Sequence, residues 1–277
     1  MTKLQLQIVN QAGEQKVAKI ESDTKEVPML ATGEDFVDLA ARHFTYEDGD
    51  QIRLTLDQPK QYLVVKFDET LDASLVYVPN QEWIYPISMS DNAIESRADG
   101  RFMSERHYLS ARVATKEEIQ SYRNWALNPH DGKEFHGAYP HAHANVETRN
   151  DATFFACNAI DGVYANLSHG SYPYQSWGIN QNLDAALTID FGREIEIDQV
   201  AFTLRADFPH DSYWTQVSLT FSDGTKEVFQ TEKTPTRQVF DIAKRKVTSV
   251  TFCELIQAED ESPFPALTQI EVFGKNV

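Results

Sequence analysis

Ala185-Ala186-Leu187-Thr188-Ile189-Asp190-Phe191 alternates inward and outward side chains and then meets Gly192. A period of two is the mark of a β-strand with one buried face, and a glycine at its end predicts a stop. The rhythm returns over residues 199–204, 214–221, 227–230, 238–242, 247–253 and 267–273, with turn residues such as Ser222-Asp223-Gly224 between them. Many short strands at such spacing predict a sandwich or barrel.

Upstream, strands are expected at residues 4–9, 17–20, 51–56, 62–67, 73–78 and 83–87, with Tyr46-Glu47-Asp48-Gly49-Asp50 as a turn. Tyr62-Leu63-Val64-Val65-Lys66-Phe67 is nearly all apolar and reads as a central strand buried on both faces. Residues 88–100 read as a loop and 106–113 as a strand joining the two halves. Thr115-Lys116-Glu117-Glu118 matches a capping box, so a helix is expected over residues 116–127, ended by Asn128-Pro129. The expected architecture is all-β: two jelly-roll-like β-sandwich domains, residues 1–100 and 128–277, joined by a helix-containing linker, 101–127.

Charge narrows the partners. Lys and Arg total 25 against 42 Asp and Glu, a net charge of −17, so nucleic acid and anionic lipid would be repelled. The N-terminus lacks the apolar stretch of a signal peptide and no membrane-spanning run follows, which makes a cytoplasmic location the expectation. Cys157 and Cys253 lie in apolar runs and read as buried free thiols. The pattern leaves the oligomeric state open.

Three segments concentrate chemistry. Residues 130–143 hold four of the eight histidines. His141 and His143, two apart on an extended chain, should face one way, and with His136 and Glu134 or Asp131 they can be drawn as a zinc or nickel site. Sugar contact and plain structural use are the other readings. The second segment, residues 205–214, combines Arg205, Asp207, His210 and Trp214: a guanidinium donates paired bonds to hydroxyls while a Trp face packs a sugar ring. The alternative is an ion pair from Arg205 to Asp207 or Asp211 that pins the loop. In the third, residues 169–177 from His169 to Trp177, the Tyr, Pro and Trp content reads as a stacking platform beside polar donors: Tyr172 and Tyr174 are candidate ligand contacts, whereas Trp177 reads as core.

Cys157-Asn158-Ala159-Ile160-Asp161-Gly162, then Leu187-Thr188-Ile189-Asp190-Phe191-Gly192, then Ile270-Glu271-Val272-Phe273-Gly274, resembles the frame of a discoidin-type domain (coagulation factor 5/8 C-type, galactose-binding-like) over about half of the chain. The two-sandwich arrangement is also similar to that of bacterial proteins. The resemblance implies carbohydrate binding through an Arg, a His and an aromatic on the loops at one end. It also implies a structural calcium near the Asp-Gly turn, with Asp161 and Glu271 in the ligand places. Where the family has Asn or Asp after the Gly and then Thr-x-Trp, this chain has Val163-Tyr164 and a long insertion before Trp177.

The expected function is therefore non-catalytic binding of a glycan or small polar ligand, in a cleft near the domain junction. Arg205, Asp207, His210, Trp214, His136, Tyr139, His141 and His143 would share one rim. The alternatives are a metal-assisted hydrolase, lyase or isomerase of sugar derivatives using His136, His141 and His143, with Glu134 or Asp211 as base, and a protein-interaction scaffold.

Overall fold

The computed structural model describes residues 1–19 and 26–277. The chain divides into two compact units, Met1–Thr115 with Phe135–Ala138, and Lys116–Glu134 with Tyr139–Val277. Both are built almost entirely of β-strands, and no helix among the described residues is long and apolar enough to cross a membrane.

In the first unit the strands are β1 (Lys3–Val9), β2 (Val17–Lys19), β3 (Glu26–Pro28), β4 (Leu30–Glu34), β5 (Phe36–Ala41), β6 (Gln51–Leu56), β7 (Gln61–Lys66), β8 (Ser74–Val78), β9 (Glu82–Pro86) and, after the short helix α1 (Asp91–Glu95), β10 (His107–Val113). Two antiparallel four-stranded sheets form, in the orders β4-β1-β6-β9 and β5-β10-β7-β8. Alternation puts Leu4, Leu6, Ile8, Ile52 and Leu54 of one sheet and Val37, Leu39, Leu63, Val65 and Leu109 of the other into a single core, which is the reason a sandwich results.

Several expectations need correction. β7 buries Leu63 and Val65 but leaves Tyr62, Val64 and Lys66 partly exposed, and the strand buried at every position is β8. Apolar composition alone does not tell a doubly covered strand from one with an open face, since much protein surface is apolar. The expected joining strand is β10, paired with β5 and β7 inside the first unit. The last residue of the expected strand 17–20, Ile20, lies outside the described residues. The loop at 88–100 contains α1, whose N-cap Ser90 accepts from the Ala93 N–H.

The second unit holds α2 (Lys116–Gln120), β11 (Arg123–Asn124), β12 (His141–Ala144), β13 (Trp177–Gly178), β14 (Leu187–Leu204), β15 (Trp214–Phe221), β16 (Lys226–Gln230), β17 (Gln238–Gln257) and β18 (Ala266–Asn276). The capping-box helix is thus five residues long, not twelve. The strands form one antiparallel sheet in the order β11-β18-β14-β17-β15-β16, with β12 added to β14 and β13 to β18.

Two pairs of expected short strands are single long ones. β14 runs through Gly192, where the register with β17 shifts between Asp190 and Ile195, and both long strands break register again further on. Such bulges let a strand bend and change layers without ending. Gly192 has φ +67°, and a Cβ there would lie 2.1 Å from Cδ2 of Tyr139. The glycine therefore marks a bulge under a ring rather than a stop. Tyr139, expected to face ligand, packs on this bulge. The core takes the inward residues Leu187, Ile189, Phe191, Phe202, Phe252, Trp177 and Trp214, all buried.

Candidate functional site

A cavity of about 200 Å³ opens in the second unit, lined by residues of that unit alone. Its wall has three sources. The loop after β12 supplies Thr148, Arg149 and Phe154; the segment from His169 through β13 supplies His169, Gly178, Ile179, Asn180 and Gln181. The turn after β14 and the approach to β18 add Arg205, His210, Phe264 and Pro265.

Two tight turns shape the backbone of this wall. Eight non-glycine residues have positive φ among the described residues, and four of them, Arg149, Asn150, Asn180 and Gln181, lie on or beside the cavity. These four are the central pairs of two tight turns, closed by the Asp151 N–H on the Thr148 carbonyl at 3.1 Å and the Asn182 N–H on the Ile179 carbonyl at 2.9 Å, a turn type that takes positive φ at both central residues. Thr148 supplies one constraint: its Oγ1 accepts the Asn180 N–H at 2.9 Å. Gly178 supplies room for that contact, since a Cβ there would lie 2.6 Å from the same oxygen.

Arg205 is 6% exposed and Asp207 7%. The guanidinium Nε lies 2.9 Å from Asp207 Oδ1, while Nη2 donates to the backbone carbonyls of His210, at 3.2 Å, and Phe264. Burial lowers the Arg205 pKa and the Asp207 carboxylate opposes that shift. The pinning role is the one the geometry shows: the guanidinium pairs in charge with Asp207 and its Nη2 bonds two backbone carbonyls. The other Asp207 oxygen, Oδ2, accepts from His169 Nδ1 and lies 3.9 Å from His210 Nδ1. The His169 and His210 rings stand 5.1 Å apart at 80°. His169 opens the third of the chemistry-bearing segments, but the sequence did not name it as a contact; Asp207 reaches it across 38 positions of chain, a separation no local pattern reports.

The remaining expected residues do not converge here. Trp214 is 1% exposed and packs against Phe252 and Trp177, so it is core and not a sugar platform. Tyr172 is exposed and Tyr174 half-buried, both outside the lining. His136 belongs to the segment that groups with the first unit. His141 and His143 do face one way on β12, with rings 5.8 Å apart, but their partners are structural: His141 Nδ1 sits 2.8 Å from Asp131 Oδ1 and His143 Nε2 3.2 Å from Asp190 Oδ2. Asp211, the alternative base, pairs with Lys233. The imagined common rim of histidine-rich turn and Arg205 turn is not the lining of the cavity.

The calcium ligand set does not fit either. Asp161 accepts from the Val163 N–H and from the side-chain amides of Gln175 and Gln269. Glu271 accepts from the Tyr164 hydroxyl at 2.9 Å and pairs with Arg237. A cation needs oxygen lone pairs around it, and these carboxylates are surrounded by N–H and O–H donors. Cys157 and Cys253 are free, as expected, but partly exposed rather than buried.

The His141–Asp131 pair carries a pH signature. Burial opposes the charge on His141, yet the hydrogen bond and charge of Asp131, with the charges of Asp190 and Glu134, outweigh it and raise the imidazole above its ordinary 6.5. Burial raises Asp131, against the bond from His141. Both groups hold protons more tightly folded than unfolded. The His141 contribution is therefore complete below pH 6.5 and lost as pH rises through the higher folded value, and the Asp131 shift runs in the same direction. The urea midpoint of the second unit should fall between pH 6 and pH 8.5, by less in His141→Asn. An identical fall in the variant would refute the assignment.

Searches against protein families and curated proteins found no match. Among solved structures, a chitosan-binding module of a Paenibacillus sp. IK-5 chitosanase/glucanase is 18% identical, covering 55% of this chain and 98% of the module at TM-score 0.38. The family 32 carbohydrate-binding module of Clostridium perfringens NanJ, solved with galactose, is 16% identical over 48% of this chain and 91% of its own, at 0.37. A Streptococcus pneumoniae fucose-binding module is 15% identical over 54% and 96%, at 0.39. Likeness of this size assigns no ligand.

Proposed function

We propose that the second unit is a discoidin-type binding module, without turnover, whose cavity takes one sugar ring or a neutral polar molecule of similar size. The observation that carries this reading is a cavity within the second unit whose wall sets polar side chains beside apolar ones. The lining chemistry agrees: imidazoles of His169 and His210, amides of Asn180 and Gln181 and the guanidinium of Arg149 stand beside apolar Ile179 and half-exposed Phe264. Directional polar groups around an apolar surface are what a ring with hydroxyls requires. At about 200 Å³ the space is below the ~300–1,000 Å³ of drug-sized pockets, which favours a compact guest. The net charge of −17 disfavours an anionic one.

A panel of neutral mono- and disaccharides, read by calorimetric titration, should contain a ligand whose affinity drops about tenfold in His210→Ala, the loss of one hydrogen bond. Silence across the panel at millimolar concentration would end the proposal. A hydrolytic reading has one observation in its favour, the Asp207 carboxylate on His169 Nδ1, which is how a general base is oriented. Two-acid glycoside hydrolysis, however, needs paired carboxylates facing the substrate, and the lining is of imidazole, amide, guanidinium and apolar type. Product release from the bound sugar would decide for the enzyme.

A further inference from the structure

We propose that His169, Asp207 and His210 form a binding site for a divalent transition metal of the zinc class at the cavity. The three side chains each offer a ligand atom within 4.8 Å of the others. The Nδ1 atoms of both imidazoles address the same oxygen, Asp207 Oδ2, one in a direct hydrogen bond and the other at 3.9 Å. Two imidazoles and one carboxylate are a borderline-soft set that suits zinc and its neighbours and not calcium or magnesium, which take oxygen.

The supporting contacts are those a metal site needs. Arg205 Nε lies 2.9 Å from Oδ1 in an ion pair, and Oδ2 is the oxygen that faces the imidazoles; an outer partner of this kind holds a carboxylate in place beside an ion. Asp207 and His210 come from one closed turn, in which the His210 N–H donates to the Asp207 carbonyl at 2.6 Å, and Arg205 Nη2 holds the His210 carbonyl. The backbones of these two ligands are thus held together before any ion arrives, and only the His210 side chain has to turn. The third, His169, precedes Gly170, whose φ is +96°.

Zinc bonds of about 2.0–2.1 Å in tetrahedral array separate ligand atoms by roughly 3.3 Å. His169 must retreat from Oδ2 and His210 approach it. Side-chain exposures of 40% and 49% leave both imidazoles room to do so. Three protein ligands leave a fourth position open, and both histidines line the cavity. The overall charge of −17 draws cations, whereas the adjacent Arg205 opposes one, so micromolar rather than nanomolar affinity is expected. The site does not depend on the cavity's being a sugar site.

The test is calorimetric titration of zinc chloride into the whole chain after chelator dialysis. One ion per chain should bind, and His169→Ala and His210→Ala should each weaken it at least tenfold, while His143→Ala leaves it unchanged. Cobalt(II) should give the visible absorption of a low-coordinate nitrogen and oxygen site, lost in the same two variants. Circular dichroism checks that these half-exposed substitutions leave the fold intact, and Asp207→Asn, which keeps the shape of the side chain, provides a third variant. Absence of saturable binding, or binding of full strength in both histidine variants, overturns the site. Sugar binding that persists in chelator beside such a result would leave the cavity proposal standing and remove only the metal.

Discussion

Arg205→Ala is expected to destabilise the second unit by about 3–5 kcal/mol, the cost of leaving a buried carboxylate without its cation. Asp207 is 7% exposed and the guanidinium beside it 6%. Removing the fork also frees the His210 and Phe264 carbonyls, which it ties together from either side of the cavity. For a unit of this size the calorimetric transition would fall by on the order of 10 °C. Arg205→Lys should recover part of the loss, since a single ammonium keeps the charge but lacks the geometry to serve a carboxylate and two carbonyls together. A loss below about 1 kcal/mol for Arg205→Ala would show that water already relieves the pair; the guanidinium would then be available to a ligand. The same reasoning makes Arg205→Ala an ambiguous probe of binding, because a collapsed wall and a lost contact give the same silence. His210→Ala, with its half-exposed side chain, separates them.

Trp177→Ala is the second large effect, also about 3–5 kcal/mol. The indole is fully buried, with Trp214 at 6.5 Å and Phe252 at 6.3 Å between ring centres, and its Nε1 donates to the Val146 carbonyl at 3.0 Å. Deletion leaves a void among aromatic rings that the strands cannot close, and a carbonyl without its donor. Trp177→Phe separates the two contributions: it keeps most of the bulk and should lose about 1–1.5 kcal/mol for the hydrogen bond. Because Trp177 begins the two-residue strand β13, and Gly178 with the following Ile179 lines the cavity, the alanine variant should also lose ligand binding in calorimetric titration. A midpoint shift under 2 °C would contradict the packing described.

Burial alternation made the strands legible and left their ends ambiguous. The segments at 51–56 and 214–221 have the expected bounds because polar turns close them on both sides. The two longest strands were read as four, since a bulge and a strand end look alike in a sequence: each is a glycine or polar residue interrupting the period of two. At Gly192 the deciding fact is the Tyr139 ring resting on the bulge, which arrives from more than fifty positions away. The capping box correctly marked the start of α2, but nothing local set its length, and the chain leaves the helix to pair Arg123–Asn124 with β18.

For the site, residue type was readable and partnership was not. Arg205, Asp207 and His210 stand within one short segment and were singled out together; Trp177 as core followed from its place in order. Arg149, Asn180 and Gln181 complete the wall and were not read from the sequence, and His169 stood in a flagged segment without its partner, because the Asn180 N–H is held by Thr148 and the His169 imidazole by Asp207, both far off in the chain.

By itself the sequence determined that this chain is all-β, since period-two burial is a property of neighbouring residues and survives in any arrangement of the strands. Only the tertiary structure decided which polar groups face a cavity and which are consumed in holding the protein together. That decision turns on distances between segments tens of residues apart, and on whether a charged group, once buried, has found a partner.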